Sequence, residues 1–326
     1  MRGKGPEVEI VRLLKSGGEF VSGQRLSATL GVSRTAVWKQ IEALRKMGYR
    51  VEASPSKGYR LAGQRPFNGV EVSSLLETEI IGKRIHFYDE IGSTNVKAFE
   101  LARGGEGEGA VVLADSQTGG KGRIGRRWES PPGLNLYASI ILRPPVAPQE
   151  AHALTFLAAV ATAEAVAKVC PVRPVVKWPN DILLDGGKAA GILLEMDSEP
   201  DRVHFVVIGI GVNINETQSM FPEYIRNTAT SLREKAGDAI DRAEFARHLL
   251  SGVEVWYKIY LSQGFTPVLA EWKRYFGFEG KPVRVTSFES VKEGTCLGVD
   301  ASGALLLKMA SGDVVRVVSG DVEAAG

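Results

Sequence analysis

Gln117-Thr-Gly-Gly-Lys-Gly-Arg-Ile-Gly-Arg-Arg-Trp128 is followed in the chain by Lys177-Trp178-Pro179-Asn180-Asp181 and then by Lys188-Ala189-Ala190-Gly191-Ile192. The first stretch reads as a loop built to close on an anion. Gly119, Gly120, Gly122 and Gly125 let backbone N–H groups turn inward, while Lys121, Arg123, Arg126 and Arg127 supply positive charge where phosphates repel one another. Two familiar nucleotide loops are excluded. Gly120, Gly122 and Gly125 satisfy Gly-x-Gly-x-x-Gly, but Trp128-Glu129-Ser130-Pro131-Pro132-Gly133 behind them cannot open the helix that holds a dinucleotide's pyrophosphate. A Walker loop needs Ser or Thr after Gly-Lys, and Gly122 stands there.

Outward from the loop, the 326 residues exceed what one core usually holds, so two or three domains are expected. Glu164 interrupts the longest apolar run, no stretch approaches the roughly 20 residues of a membrane helix, and Met1 to Glu7 is no signal peptide. No membrane partner is expected. Cys170 and Cys296 lie far apart, and His86, His152, His204 and His248 are scattered, a pattern that fits a reducing cytoplasm and does not fit a zinc site.

The net charge of +2 hides an asymmetry: residues 1–62 hold twelve Lys or Arg against five Glu, a surplus of +7 that leaves −5 for the rest. The N-terminal end is therefore the nucleic-acid end. Val8, Ile10, Val11, Leu13 and Leu14 mark one helix, Gln24 to Leu30 a second, and Gly31-Val32 the turn. Ser33 caps a third helix whose Val37, Ile41 and Leu44 recur at helical spacing, so that Arg34, Thr35, Trp38, Lys39 and Arg45 face outward toward a major groove. Tyr49 to Leu61 then reads as two short strands around Ser54-Pro55-Ser56, with Lys57 and Arg60 on the hairpin. Helices and basic hairpin resemble a winged helix-turn-helix over residues 1–64. Lys39, Arg45, Lys57 and Arg60 are expected on phosphates of operator DNA, where Ser33, Arg34, Thr35 and Trp38 join them.

Residues 65–277 read as a larger α/β (α+β) unit. Strands are expected at 85–88, 111–115, 136–142, 175–178, 192–196 and 205–208, with helices at 150–169 and after Asp241. Their irregular alternation predicts a mixed sheet with helices on one side. Ser93 or Thr94 stands at a helix N-cap, where a hydroxyl satisfies backbone N–H groups. Lys177 to Asp181 reads as a strand that Pro179 stops, followed by a bend at Asn180-Asp181. Gly209-Ile210-Gly211-Val212-Asn213 is expected to follow a buried strand, its small residues letting a ligand lie against backbone. From about Phe278, short strands at 282–287, 295–299, 304–309 and 314–318 predict a small β barrel over 278–326.

At this spacing, the cationic loop and the Lys177 and Lys188 segments resemble the biotin protein ligase family, whose patterns are Gly-Arg-Gly-Arg-x-Gly-Arg-x-Trp and Lys-Trp-Pro-Asn-Asp followed by Lys-x-Ala-Gly-Ile. The resemblance runs along essentially the whole chain. It implies a class II synthetase-like central domain, an SH3-like C-terminal domain, and a DNA-binding repressor end at Ser33 to Lys39. It also implies ATP and biotin as substrates, Mg²⁺ as cofactor and a biotin carboxyl carrier protein domain as acceptor. Ser93, Thr94, Asn95 and Gln117 would take the biotin head group, with Lys121, Gly122 and Gly191 completing that site. A ureido ring is neutral and offers donors and an acceptor, so hydroxyls and amides suit it where charges do not. Arg123 and Lys188 match positions at the biotin carboxylate and acyl phosphate; Arg126, Arg127, Trp128, Lys177, Asn180 and Asn213 match the nucleotide side. Asn180 and Asp181 are the candidates to position Mg²⁺, directly or through water. For transfer, either Asp181 takes the acceptor lysine's proton or Lys188 orients the acyl carbonyl, and both stay open.

Two positions depart from the family pattern. Lys121 stands for the usual Arg and keeps the charge without the bidentate fork, and Ile124 removes a frequent second cation. The joint reading is a cytoplasmic ligase whose biotinyl-AMP also serves as corepressor, ordering the loop, completing a homodimer and spacing two winged helices for a palindrome. A lipoate ligase-like enzyme would act on a ligand with no ureido group to use Gln117 and the Ser93 cluster, and a biotin-sensing repressor without chemistry would show no pyrophosphate exchange.

Overall fold

The computed structural model describes residues 5–16, 19–287 and 290–325. Residues 1–4, part of the Met1 to Glu7 stretch expected not to be a signal peptide, lie outside them. Helices α1 (Pro6–Ser16), α2 (Gly23–Leu30) and α3 (Arg34–Lys46) enclose Ile10, Val11, Leu14, Leu26, Val37, Ile41 and Leu44. Ser22 and Ser33 hydroxyls accept from the Arg25 and Ala36 amides and so start α2 and α3. Gly31 between them has φ 64°, the left-handed region that favours glycine. Strands β1 (Arg50–Ser54) and β2 (Gly58–Ala62) form an antiparallel hairpin that Val21 bridges at Tyr59.

Helix α4 (Gly69–Leu75) bolts this unit to the next. The Arg12 guanidinium donates to the carbonyls of Ser73, Ser74 and Leu76 at the end of α4, and Lys15 lies 2.7 Å from the buried Glu71 carboxylate, to which Tyr49 Oη also donates.

The central unit comprises β3 (Ile85–Ile91), α5 (Thr94–Arg103), β4 (Val111–Gln117), β5 (Leu136–Leu142), α6 (Ala153–Val169), β6 (Val175–Lys177), β7 (Asp181–Leu184), β8 (Gly187–Ser198) and β9 (Val203–Val212). Short helices α7 (Glu223–Arg226) and α8 (Leu232–Ala236), then α9 (Arg242–Gln263) and α10 (Phe265–Tyr275), complete it. The sheet runs β3-β4-β5-β9-β8-β7-β6, and β3–β4 is its one parallel pair. Helices cover both faces, which corrects the one-sided expectation. Alternate residues of β4, β5 and β9 explain it: Val111, Leu113, Ile140 and Ile208 face α6 and α9, while Val112, Ile141 and Val207 pack with Ala98 and Ala102 of α5.

Two other expectations shift. Strand β9 continues through Gly209 and Gly211 to Val212, and β8 already begins at Gly187, so both glycine-containing motifs lie inside strands. One segment, Pro148–Val169, is long and apolar enough by length and composition to cross a membrane despite Glu164, and it packs as a largely buried core helix.

The C-terminal strands β10 (Pro282–Thr286), β11 (Val291–Val299), β12 (Leu305–Lys308), β13 (Val314–Val317) and β14 (Asp321–Ala324) form one antiparallel sheet, ordered β13-β12-β11-β10-β14. No ladder joins β13 to β14 among the described residues, so the sheet is open along one seam where the sequence suggested a barrel. It docks on the central unit through the Trp178 indole, whose Nε1 donates to Gly303 O at 2.9 Å.

Candidate active site

One cleft opens where the edge of α5, the ends of β4, β8 and β9, and the Lys121–Trp128 loop meet. Every residue singled out for biotin or nucleotide lines it except Lys177, whose Nζ stands 4.0 Å from Asp181 Oδ2. The loop, the turn after β6 and the start of β8 are thus brought together.

The floor is polar, uncharged and buried. Ser93 is the N-cap of α5 by backbone position, yet its hydroxyl makes no capping bond, so capping does not account for it. Thr94 donates from its backbone N to Gln117 Oε1 at 2.8 Å, and its Oγ1 lies 3.1 Å from the same oxygen. Gln117 Nε2 donates to Ser130 Oγ at 2.9 Å, which fixes the amide's orientation. Asn95 is turned away from this row: its Nδ2 donates to Glu195 Oε2 at 2.9 Å, and its Oδ1 lies 2.6 Å from Ser139 Oγ.

The glycines of β9 serve the protein's own side chains. A Cβ at Gly209 would stand 2.0 Å from Asn95 Oδ1, and one at Gly211 would stand 2.6 Å from Trp128 Nε1. Gly191 also faces the indole, at 3.0 Å from Cζ3. Trp128 therefore lies flat on a patch that only glycines permit, with its Nε1 buried and without a partner among the described residues. Asn213 spends its amide on Thr230 O at 3.1 Å and Lys188 O at 3.4 Å, clamping the segment beyond β9 to β8.

Beside the floor stands the charged wall. Asp181, the first residue of β7 and buried, lies 2.8 Å through Oδ1 from Lys188 Nζ, which also sits 5.5 Å above the Trp128 ring. The turn that places Asp181 spans 178–180, one step earlier than an Asn180-Asp181 bend. Asn180 is committed at both ends: its Nδ2 donates to Ile192 O at 2.6 Å, and its Oδ1 accepts from Arg123 Nη1 at 2.8 Å.

The loop forms the roof, and among the described residues its cations are all engaged except Lys121. Arg126 pairs with Asp321 of the C-terminal sheet, Arg123 approaches the same carboxylate at 3.9 Å, and Arg127 lies 3.5 Å from Glu129. Ile124 sits at the tip with φ 55°, exposed and in a region that a β-branched residue rarely occupies.

Cleft residues that the motifs did not mark include Tyr137, Glu216, Phe221 and Asp321, and Ser139 and Glu195 stand behind the lining as partners of Asn95. Burial pushes the Glu216 carboxyl above the ordinary range, and Glu129 adds to this against the hydrogen bond from Asn135 Nδ2. No short-range pattern signals these residues, because each reaches the cleft through a distant pairing.

On the N-terminal unit, Arg34, Thr35, Trp38 and Lys39 project from α3 into solvent, with Trp38 52% exposed, and Lys57 projects from the hairpin tip. Arg45 is spent differently: Nη2 donates to Val51 O at 2.8 Å and Nη1 to Glu42, so it ties α3 to β1. Arg60 pairs with Glu52 and covers the Phe20 ring.

With this geometry, known proteins resemble the chain along its length. Residues 8–60 match an HTH domain model, 93–213 the biotin/lipoate A/B protein ligase family and 279–324 the biotin protein ligase C terminal domain. The bifunctional ligase/repressor BirA of Bacillus subtilis is 43% identical over 311 residues, covering 95% of both chains. The chain belongs to the bifunctional biotin ligase/repressor family. The Escherichia coli member is 33% identical over 302 residues and 92% of each chain. The biotin protein ligase of Aquifex aeolicus, solved with biotin and ATP, superposes with a TM-score of 0.64 at 27% identity, covering 74% of this chain and 98% of that one. That alignment includes no more than three quarters of the chain, whereas the family members from B. subtilis and E. coli match it nearly end to end.

Proposed function

We propose that the protein activates biotin with ATP to biotinyl-5'-AMP, transfers biotin to a lysine of a biotin carboxyl carrier protein domain, and represses biotin genes when biotinyl-AMP is bound. The observation that carries this reading is a single cleft with a neutral hydrogen-bonding floor and a cationic roof. The floor suits a ureido ring; the roof suits a carboxylate and phosphates that repel each other.

In the first half-reaction, a biotin carboxylate oxygen attacks the α-phosphorus and the bond to pyrophosphate breaks. Arg123 and Lys188 neutralise the charge that develops, exchanging Asn180 and Asp181 for phosphate oxygens. Arg126, Arg127 and Trp128 hold the nucleotide. Mg²⁺ fits as a phosphate-bound ion: Asp181 and Asn180 offer two hard oxygens, and no group of three or more His, Cys, Asp or Glu exists among the described residues to cage a metal unaided. The ion would neutralise phosphate charge.

In the second half-reaction, the acceptor amine attacks the acyl carbon, AMP leaves and the amine's proton passes to Asp181, which the departure of Lys188 toward the acyl phosphate frees. Operator binding falls to Ser33, Arg34, Thr35, Trp38, Lys39 and Lys57. Arg45 and Arg60 reach phosphates only by leaving their present partners. Pairing of two copies is supported by β8, whose residues beyond Ile192 run past the end of β7 and offer a strand edge.

Biotin-dependent exchange of pyrophosphate into ATP, with lipoate as control, tests the reading. Exchange with biotin alone is expected. Exchange with lipoate instead indicates the lipoate ligase, and none with either leaves a sensor without chemistry.

A further inference from the structure

We propose that Glu195 is a positioning residue for biotin: through Asn95 and Ser139 it sets the direction of the Thr94 hydroxyl and presents Thr94 Oγ1 to the cleft as an acceptor. The inference rests on the reading of the cleft as a biotin site. It follows from counting protons along one buried row.

Asn95 Nδ2 lies 2.9 Å from Glu195 Oε2 and 3.5 Å from Leu193 O. Carboxylate and carbonyl only accept, so the Asn95 NH₂ must face β8 and its Oδ1 must face β5. That Oδ1, 2.6 Å from Ser139 Oγ, has no proton to give and therefore takes the single proton of Ser139. Ser139 Oγ and Thr94 Oγ1 are 2.8 Å apart and need one proton between them, and only that of Thr94 remains. The alternative acceptor, Gln117 Oε1, lies farther, at 3.1 Å against 2.8 Å for Ser139 Oγ. With its proton turned inward, Thr94 Oγ1 faces the cleft with lone pairs only. A ureido ring N–H is the matching group.

The row has no slack. Ser139 is fully buried and Thr94 and Asn95 are 4% exposed, so water cannot supply a missing proton. Gly209 seats the Asn95 amide flush against β9, because a Cβ there would overlap Oδ1 at 2.0 Å. Glu195, by contrast, is only half-buried and tolerates exchange.

Three substitutions test the relay through KM for biotin and kcat in pyrophosphate exchange, with Tm as a folding control. Glu195→Gln keeps an acceptor toward Asn95 and should stay within about 3-fold of wild type. Glu195→Lys sets a donor against Asn95, turns the amide over, reverses Ser139 and drives the Thr94 proton into the cleft; KM for biotin should rise about 10- to 100-fold with kcat largely kept. Glu195→Ala only withdraws the acceptor, so an intermediate KM guards against a misfolded Lys variant. As a second readout, cyclic-carbamate analogues of biotin, with oxygen in place of one ring N–H, should lose less binding in Glu195→Lys than in wild type. A biotin KM within about 3-fold of wild type in both the Lys and Ala variants overturns the relay. A wild-type protein without biotin-dependent exchange removes the ligase reading and the relay with it.

Discussion

The loop over the cleft and the outer face of α3 are both basic, yet they hold their charge in opposite ways. Arg123, Arg126 and Arg127 each rest on an internal partner: Asn180, Asp321 and Glu129. Arg34 and Lys39, like Lys57 of the hairpin, make no side-chain hydrogen bond or ion pair among the described residues. A group that must grip a transient anion and then release it gains from a partner to return to, because the exchange of one anion for another leaves no bare charge at any step. A surface that meets a continuous polyanion needs no such return, and free exposed cations bind by displacing counterions. On the proposed reading, the same residue types serve catalysis in one place and docking in the other.

The sharpest way to break this contrast is to remove a cation of the paired set. Lys188→Ala should lower the rate of biotin-dependent pyrophosphate exchange about 10²- to 10³-fold at saturating biotin and ATP, because it withdraws a prearranged charge from the developing acyl phosphate. A loss under about 3-fold would place Lys188 outside the reaction. Arg123→Gly removes the link from roof to Asn180, so the roof should hold the intermediate less well. Biotinyl-AMP set free into solution, measured without acceptor protein, should rise about 10-fold; release no greater than wild type contradicts the roof's protective role.

Next in size is the seat of Trp128. Gly211→Ala puts a methyl 2.6 Å from the indole Nε1, and the side chain must lift. The KM for ATP should rise about 10-fold while the KM for biotin moves little, and an unchanged KM for ATP means that Trp128 does not carry the nucleotide.

How much of this was written in the chain depends on the range of each interaction. The roof was legible because glycines and arginines lie side by side in residues 119–127, and α3 was legible because Val37, Ile41 and Leu44 repeat at helical spacing. Lys188 and Asp181 could be placed near the loop only through family resemblance, since nothing local relates residues 123 and 181. The floor was half legible. Thr94 and Gln117 stood in recognisable places, but the Asn95–Glu195 bond joins residues 100 apart and gives Asn95, which also lines the cleft, a bracing partner that no local pattern announces. Strands buried on both faces misled the layer count, because β5 reads Leu136-Tyr-Ala-Ser-Ile-Ile-Leu142 with no alternation to betray a second helix layer. Arg45 and Arg60 were read as phosphate contacts by charge, and only the structure adds that they hold the hairpin's carbonyl and carboxylate in the free chain.

A smaller effect is expected on the docking side. Lys39→Ala should weaken DNA binding about uniformly across sequences and reduce the slope of log K against log salt by about 1, as loss of one phosphate contact does. Arg45→Ala should act through stability as well, lowering Tm, because it also removes the tie to Val51 O. Equal salt slopes for wild type and Lys39→Ala would show that the free cations of α3 do not meet phosphate, and the contrast with the roof would fail on that side.

The smallest expected effect lies inside the cleft, at Glu216. Its carboxyl is buried and its affinity for protons is raised, first by burial and then by Glu129. A group whose folded value lies above its unfolded one, here 4.5, contributes stability that is complete below that value and is lost as pH rises through the folded one. Glu216→Gln cannot titrate and still accepts from Asn135 Nδ2 through its amide oxygen. The Tm of Glu216→Gln minus that of wild type should therefore grow from near zero in acid to a few degrees above the raised value, then stay level. A difference that is constant with pH, or that shrinks as pH rises, would show that Glu216 is ionised without penalty and that only the loop's own pairings tune charge in the cleft.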